Sequence, residues 1–297
     1  MGRDRRGAVL IVNPLASRVT DERVRLVHDA LPGMPEVQRT QERGHATELA
    51  RAAVAAGAGA IYVFSGDGGF NEVLNGVEGA TPIGFLAGGG TSVLPRALGL
   101  PRDPVAAARR IAHGEVRRIS VGRVNGRRFG FNAGIGFDAE LVRRVDALGR
   151  KSDGRRPGDI AFAWTALRTV VGRRCRYEDA LELEGLGRAA FALIANCDPY
   201  SYAGRVPLHV APLARFELGI DVVAPRSVRA RDVPRLVRYL VRGKGQLDAP
   251  DVIHAHDLDR VVIRCDGPLP LHVDGEDLGD VEEVECSAER DAVSVLV

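Results

Sequence analysis

The sequence is poor in residues that build metal sites and disulfide frameworks. Its four cysteines are scattered along 297 residues, and none belongs to a Cys-x-x-Cys or His/Cys cluster. This spacing argues against a zinc site and against a disulfide-stapled fold. No stretch approaches the ~20 consecutive apolar residues that a membrane-spanning helix needs. The charged N-terminus runs directly into a strand-like segment, so we expect no signal peptide.

The chain also lacks a large excess of charge of either sign, because its formal net charge is only +2. A balance this close to zero gives no strong attraction to nucleic acid, so no nucleic-acid partner is predicted. The composition is that of a globular chain, and its length allows two domains. We expect a soluble, cytoplasmic protein that meets a membrane only peripherally, at its inner face. The sequence leaves the oligomeric state open.

Over the first hundred residues, short apolar runs alternate with helical patterns. The pattern predicts strands at 8–12, 36–40, 60–64 and 82–86, and helices at 21–31, 45–56 and 70–77. Such alternation is typical of a mostly parallel sheet covered by helices on both faces. Parallel sheets bind ligands at the carboxyl ends of their strands. Here those ends carry Asn13, Thr40, Ser65–Gly69 and Ala87–Thr91, which should therefore converge on one edge.

After about residue 120 the pattern changes to short β-like segments separated by turn residues. Helical stretches interrupt them near 139–148, 160–171 and 233–241. The sequence therefore predicts an α/β domain over residues 1–121 and a β-rich, sandwich-like domain over 122–297. We expect that the last strand returns to the first domain.

The segment from Ser65 to Glu72 follows a buried strand and opens a helix. Glycines there allow close approach of a ligand, and amides at a helix N-terminus attract phosphate oxygens. The carboxylate of Asp67 suits Mg²⁺ binding or acceptance of a proton from an attacking hydroxyl. The spacing alone is equally compatible with a tight turn in which Asp67 only caps the helix.

A second glycine-rich turn, Ala87 to Ser92, stands between a strand and a helix. Two such loops at neighbouring strand ends could grip opposite sides of one polyphosphate. Neither loop is followed by the Gly-Lys-Ser/Thr of a Walker A motif, and neither is a Gly-x-Gly-x-x-Gly fingerprint. Phosphate charge would therefore be met by amides, Mg²⁺ and arginine.

Six motifs occur in order along the chain: Asn13-Pro14; Thr40 with Gly44-His45-Ala46; Gly66-Asp67-Gly68 with Asn71-Glu72; Gly89-Gly90-Thr91; Phe131 to Ala139; and Val273 to Glu276. Together they resemble the diacylglycerol kinase catalytic-domain family, which includes bacterial lipid kinases and sphingosine kinases. The resemblance implies a first domain like those of NAD kinases and phosphofructokinases. It also implies an ATP- and Mg²⁺-dependent kinase that phosphorylates a lipid hydroxyl, diacylglycerol or a related lipid, in phospholipid biosynthesis at the membrane surface.

The resemblance further implies roles for individual residues. Asp67 would be the general base or a metal-linked carboxylate, and Glu276 would complete the catalytic site from the second domain. Ser65 and Asp138 would contact the lipid substrate. Metal ligands are left unassigned. The ATP site would be formed by Asn13, Thr40, Gly66, Gly68, Gly69, Glu72, Gly89, Gly90 and Thr91.

Three departures from the family pattern bear on activity. Gly69 replaces the usual threonine, Ser92-Val93 replaces an Asn-Asp pair, and Glu217-Leu218-Gly219 replaces an acidic stretch near a structural metal. Two alternative functions therefore stay open, an NAD kinase-like enzyme and a nucleotide- or lipid-binding regulator without catalysis.

Two further segments allow alternative interpretations. Asp274-Gly275 could form a hairpin turn that leaves Glu276 idle, although the resemblance favours Glu276 reaching the cleft between the domains. The arginine-rich stretch from Arg143 to Arg176 could dock on anionic lipid headgroups or could be an ordinary solvated helix face. Within it, Trp164 is expected to pack on the core.

Overall fold

The computed structural model describes residues 6–147, 176–177 and 179–297. The chain divides into two compact units, one formed by residues 1–120 with 291–297 and the other by residues 121–290. The predicted helix at 160–171, Trp164 and most of the arginine-rich stretch lie outside the described residues. None of the described helices is long and apolar enough to cross a bilayer.

The first unit is built on a parallel sheet with the order β2-β1-β3-β4. Its strands are β1 (Val9–Val12), β2 (Glu36–Arg39), β3 (Ile61–Ser65) and β4 (Ile83–Ala87). Every residue of β1, β3 and β4 is buried, as the continuous apolar runs predict. The helices are α1 (Asp21–Ala30), α2 (His45–Ala55), α3 (Asp67–Leu74), α4 (Val93–Ala97) and α5 (Pro104–His113).

Local signals define these helices where the sequence contains a cap. The Thr20 hydroxyl accepts a hydrogen bond from the Arg23 amide at the start of α1. Asp103 performs the same task for the Ala106 amide in α5. In contrast, α3 begins at Asp67, three residues earlier than the pattern indicates, because the glycine-rich turn is itself the first turn of the helix.

The second unit is rich in antiparallel strands. The strands after β4 are β5 (Val116–Val124), β6 (Arg127–Phe129), β7 (Asn132–Ile135), β8 (Arg176–Tyr177), β9 (Leu181–Leu183), β10 (Gly187–Ala189), β11 (Ala192–Ala195), β12 (Ser201–Ala203), β13 (Val206–Leu208), β14 (Ile220–Pro225), β15 (Val228–Arg229), β16 (Val252–Leu258), β17 (Arg260–Val273) and β18 (Glu276–Leu296). Six of them pair as successive antiparallel neighbours in the order β16-β14-β11-β7-β17-β18. The helices of this unit are α6 (Phe137–Ala147) and α7 (Val233–Arg242).

The C-terminal end of β18 belongs to the first unit. Val295 pairs in parallel with Ile83 of β4, and Val297 exchanges two backbone hydrogen bonds with Glu115. Val293, Val295 and Leu296 are almost completely buried. These apolar side chains extend the core of the first unit by one strand.

We therefore expect Leu296→Ala to lower the free energy of unfolding by about 3 kcal/mol, because it leaves a cavity in the core. Leu26→Ala on the exposed side of α1 is the control, with an expected change below about 0.5 kcal/mol. Urea unfolding followed by circular dichroism measures both. Equal effects of the two substitutions would show that the C-terminal residues contribute nothing to the core.

Candidate active site

Two glycine-rich loops meet at the carboxyl ends of β3 and β4. The Gly88 amide donates to the Ser65 carbonyl at 2.7 Å. A Cβ built at Gly89 would lie 2.9 Å from the Gly66 Cα, closer than real Cβ atoms approach other atoms. The two backbones therefore touch, and only glycine at position 89 permits it. The convergence predicted from the strand ends is present for these two loops.

Asp67 connects the same two loops through its side chain. Its Oδ1 accepts a hydrogen bond of 2.7 Å from the Val93 amide, the first amide of α4. Asp67 is the first residue of α3, and the N-cap of that helix is Gly66, which has no side chain that could accept a hydrogen bond. The Asp67 carboxylate therefore caps the neighbouring helix α4. It binds the loop after β4 and is held, half-buried, at the point where the loops meet.

The space around Gly69 explains one departure from the family pattern. A Cβ at Gly69 would lie 2.1 Å from the Ser65 Oγ and 2.8 Å from its Cβ. The Ser65 hydroxyl thus occupies the volume in which a side chain at position 69 would begin. Ser65 is 2% exposed, and its Oγ has no hydrogen-bond partner among the described residues. A buried, unpartnered hydroxyl is uncommon and needs an explanation.

Gly68 and Gly90 differ from their neighbours because nothing in the fold requires glycine there. A Cβ at either position would meet no atom within 4 Å, and neither has the positive φ that favours glycine. Open space beside glycines at the start of a helix leaves room for a ligand to approach the backbone.

Asn13, Thr40 and Glu72 have defined structural contacts. The Asn13 Oδ1 accepts from the Leu15 amide, and the Thr40 amide donates to the Val12 carbonyl just beyond β2. The Glu72 Oε2 accepts from the Ala46 amide at 3.1 Å, so this carboxylate caps α2. Thr91 precedes α4, and its carbonyl accepts from Arg96.

In the second unit, Asp138 is the centre of a hydrogen-bonded cluster. Its Oδ2 lies 2.6 Å from both the Tyr200 hydroxyl and the His272 Nε2. Gly134 makes room for this contact, since a Cβ there would lie 2.5 Å from the His272 Nε2. Burial acts to raise the pKa of the Asp138 carboxyl, but the charge and hydrogen bond of His272 and the hydrogen bond from Tyr200 outweigh it and hold the pKa below its ordinary value.

Asp274 and Gly275 form the hairpin turn that the Asp-Gly pair allows. Both turn residues have positive φ, and Val273 pairs with Glu276 across the turn. Glu276 opens β18 and forms an ion pair with Arg127 of the same unit. Its catalytic role stays a prediction.

The Asp274 side chain has a structural task that the sequence pattern did not reveal. Its carboxylate is buried and accepts hydrogen bonds from three consecutive amides, those of Gly130, Phe131 and Asn132. It therefore fixes the segment that leads into β7. His272 and Tyr200 were missed as well. A histidine inside the apolar run Leu271 to Val273 was the one signal that could have indicated a buried polar cluster.

Comparison with known proteins identifies the family. The profile of the "Diacylglycerol kinase catalytic domain" matches residues 7–124. A relative named "Probable lipid kinase YegS-like", from Chromohalobacter salexigens, is 32% identical over 81% of this chain and 76% of that protein. The chain belongs to the diacylglycerol kinase catalytic-domain family of lipid kinases.

Further matches agree with this family. A "Diacylglycerol kinase" of Bacillus subtilis is 29% identical over 78% of this chain and 76% of that protein. A crystal structure of a diacylglycerol kinase from Bacillus anthracis superposes with a TM-score of 0.71 at 18% identity, covering 97% of this chain and 96% of that one. An NAD kinase from Archaeoglobus fulgidus in complex with ATP gives 0.50 at 13% identity, covering 98% and 93%. The two structures confirm the predicted NAD kinase-like α/β first domain and the β-rich second region.

The contact between positions 65 and 69 gives a stability prediction. Gly69→Thr should lower the free energy of unfolding by about 1–3 kcal/mol, because its Cβ overlaps the Ser65 hydroxyl. In a Ser65→Gly background the same substitution should cost at least about 1 kcal/mol less. Urea unfolding of the four proteins in this double-mutant cycle measures the coupling. An identical cost in both backgrounds would show that Ser65 does not occupy the space of a side chain at 69.

The lowered pKa of Asp138 gives a pH prediction. A carboxyl whose pKa is lowered by folding stabilises the folded state above its unfolded pKa of about 3.9, and this contribution is lost as the pH falls through the folded pKa. Asp138→Asn should therefore cost about 1–3 kcal/mol near neutral pH and less as the pH falls below about 4. Urea titrations across this range test it, with the exposed Asp248→Asn as a control. A cost independent of pH would contradict the assignment.

Proposed function

We propose that the protein transfers the γ-phosphate of ATP to the hydroxyl group of diacylglycerol or a chemically related lipid, as a step in phospholipid synthesis at the cytoplasmic membrane surface. The observation that carries the proposal is Asp67 held between two touching glycine-rich loops in a chain of the lipid kinase family. The name of the Bacillus subtilis relative supports diacylglycerol as the acceptor.

The loops suit a polyphosphate. The first amides of α3 have no acceptor within the helix and, together with the positive end of the helix dipole, favour bound phosphate. Gly68 and Gly90 leave the backbone open to a ligand. Ser65 is retained as a proposed contact of the lipid substrate, on the family motif in which it stands.

Mg²⁺ would be held mainly by the phosphate oxygens of ATP, with a protein carboxylate that is left unassigned. No group of three or more acidic, histidine or cysteine side chains among the described residues could hold a metal by itself. Magnesium in kinases is commonly bound by one or two carboxylates and the substrate phosphates, so the residues present fit this arrangement. The ion would neutralise charge on the transferring phosphoryl group.

We assign to Asp67 the deprotonation of the acceptor hydroxyl. The lipid oxygen attacks the γ-phosphorus, the bond from that phosphorus to the β-phosphate oxygen breaks, and the hydroxyl proton passes to the Asp67 carboxylate. The hydrogen bond from Val93 fixes the orientation of the carboxylate. Catalysis therefore rests on positioning and charge neutralisation rather than on a covalent intermediate.

We retain two residues of the second unit as proposed contributors. Asp138 is ordered by Tyr200 and His272 and suits hydrogen bonding to the polar head of the lipid. Glu276 is proposed as a second catalytic carboxylate. Both assignments rest on the family motifs in which these residues stand.

Asp67→Asn tests the mechanism. The side-chain oxygen of the substituted amide can still accept from the Val93 amide, so the fold and ATP binding should persist while turnover falls by about 10²–10⁴-fold. Initial rates of phosphate transfer to diacylglycerol in mixed micelles and calorimetric ATP titration measure the two effects. Asp103→Asn, at another carboxylate that accepts a backbone amide, is the matched control and should keep its rate. Wild-type turnover by the Asp67 variant would refute the mechanism.

A further inference from the structure

Helix α7 of the second unit is amphipathic but is not buried by the fold. Among the described helices of eight residues or more, it separates polar from apolar residues most sharply, and none of its residues is buried. A helix with this separation normally packs its apolar side against a core. Here part of the apolar side is left uncovered.

The apolar residues of α7 fall into two groups. Leu236, Tyr239 and Leu240 pack against small hydrophobic clusters of the second unit. Val237 and Val241, four residues apart and thus on one face, are 51% and 48% exposed. These two valines are available to a partner.

The hairpin of β12 and β13 extends the same surface. The His209 amide, directly after β13, donates to the Leu240 carbonyl at 2.7 Å, so the hairpin lies against α7. Its Val206 is 48% exposed, and the neighbouring Arg205 is exposed as well. Three exposed valines therefore belong to two adjoining elements.

The charge of this region is strongly positive. Residues 226–244 contain seven arginines and lysines and a single acid, Asp232, in a chain whose net charge is only +2. Arg235 is engaged by Asp251. Arg238, Arg242 and Lys244 are exposed and form no ion pair with any acid in the described part of the chain.

Three of the basic residues of this region, Arg235, Arg238 and Lys244, line a depression beside α7. An open pocket of about 550 Å³ is bordered by three cationic side chains and one aromatic ring, and phosphate groups are well accommodated by such a setting. Its lining residues are Pro234, Arg235, Arg238, Tyr239, Lys244 and Gly245.

We propose that α7 and the β12–β13 hairpin dock on the surface of an anionic phospholipid bilayer. The exposed valines would enter the interface between headgroups and acyl chains, while Arg238, Arg242 and Lys244 would meet the lipid phosphates. A second copy of the chain fits poorly, because it would oppose two surfaces of the same strong charge. A nucleic acid would leave the valines without an apolar partner. The proposal rests on the lipid kinase function, since it explains how the enzyme reaches a membrane-bound acceptor.

Vesicle sedimentation without ATP tests the docking independently of catalysis. The full chain should bind vesicles of equal parts phosphatidylglycerol and phosphatidylcholine, and bind pure phosphatidylcholine far more weakly. Replacing Arg238, Arg242 and Lys244 together by Gln should lower the partition coefficient on the anionic vesicles by about 100-fold. Val237→Asn with Val241→Asn should lower it by about 10-fold.

Matched controls come from the first unit. Arg25, Arg51 and Arg109 are exposed, and their joint replacement by Gln removes the same charge. Leu26→Asn with Val37→Asn removes exposed apolar groups of similar size. Both control proteins should bind anionic vesicles as the wild type does.

Activity in detergent distinguishes this proposal from the proposed function. The α7 variants should phosphorylate diacylglycerol in nonionic mixed micelles at the wild-type rate but lose activity on anionic vesicles. Wild-type vesicle binding by these variants would overturn the docking proposal and leave the kinase function intact. The docking proposal would also be overturned if the wild type formed a concentration-dependent dimer, the valine substitutions dissociated that dimer, and vesicle binding stayed unchanged. This surface would then bind a second copy of the chain.

Discussion

The candidate site depends on the contact between the Gly66 and Gly89 backbones. At this distance a methyl group on residue 89 would overlap the opposite chain, so the loops after β3 and β4 can meet only if glycine occupies that position. The contact brings the Asp67 carboxylate within hydrogen-bonding distance of the Val93 amide, and that bond in turn orients the carboxylate. A helix N-terminus, an acid and two open stretches of backbone thereby come together without any lysine of the P-loop kind.

A comparable anchor organises the second unit. The Asp274 carboxylate accepts hydrogen bonds from three successive amides and thereby fixes the segment before β7. Residues Ala133 to Ile135 then pair with β17, which carries His272 toward Asp138. The head-group role proposed for Asp138 thus depends on a buried acid in a hairpin turn.

Much of the first unit could be predicted from the sequence, because its signals are local. Continuous apolar runs indicated the buried strands β1, β3 and β4. What could not be predicted depends on contacts that arise only in the folded structure. The overlap of Ser65 with the space at Gly69 arises because the first turn of α3 lies against the last residue of β3. The Asp67–Val93 bond joins residues 26 positions apart. The turn at Asp274 could be anticipated from the Asp-Gly pair alone, because such pairs favour hairpin turns.

The central claim is that this chain phosphorylates a lipid hydroxyl with ATP, and one measurement tests it most directly. The purified protein is incubated with γ-labelled ATP, Mg²⁺, a fractionated bacterial lipid extract and NAD, and the labelled products are separated and identified by mass. The account predicts label in a lipid that has gained one phosphate, with diacylglycerol as the consumed acceptor. Label in NADP, or ATP binding without transfer to any lipid fraction, would contradict it.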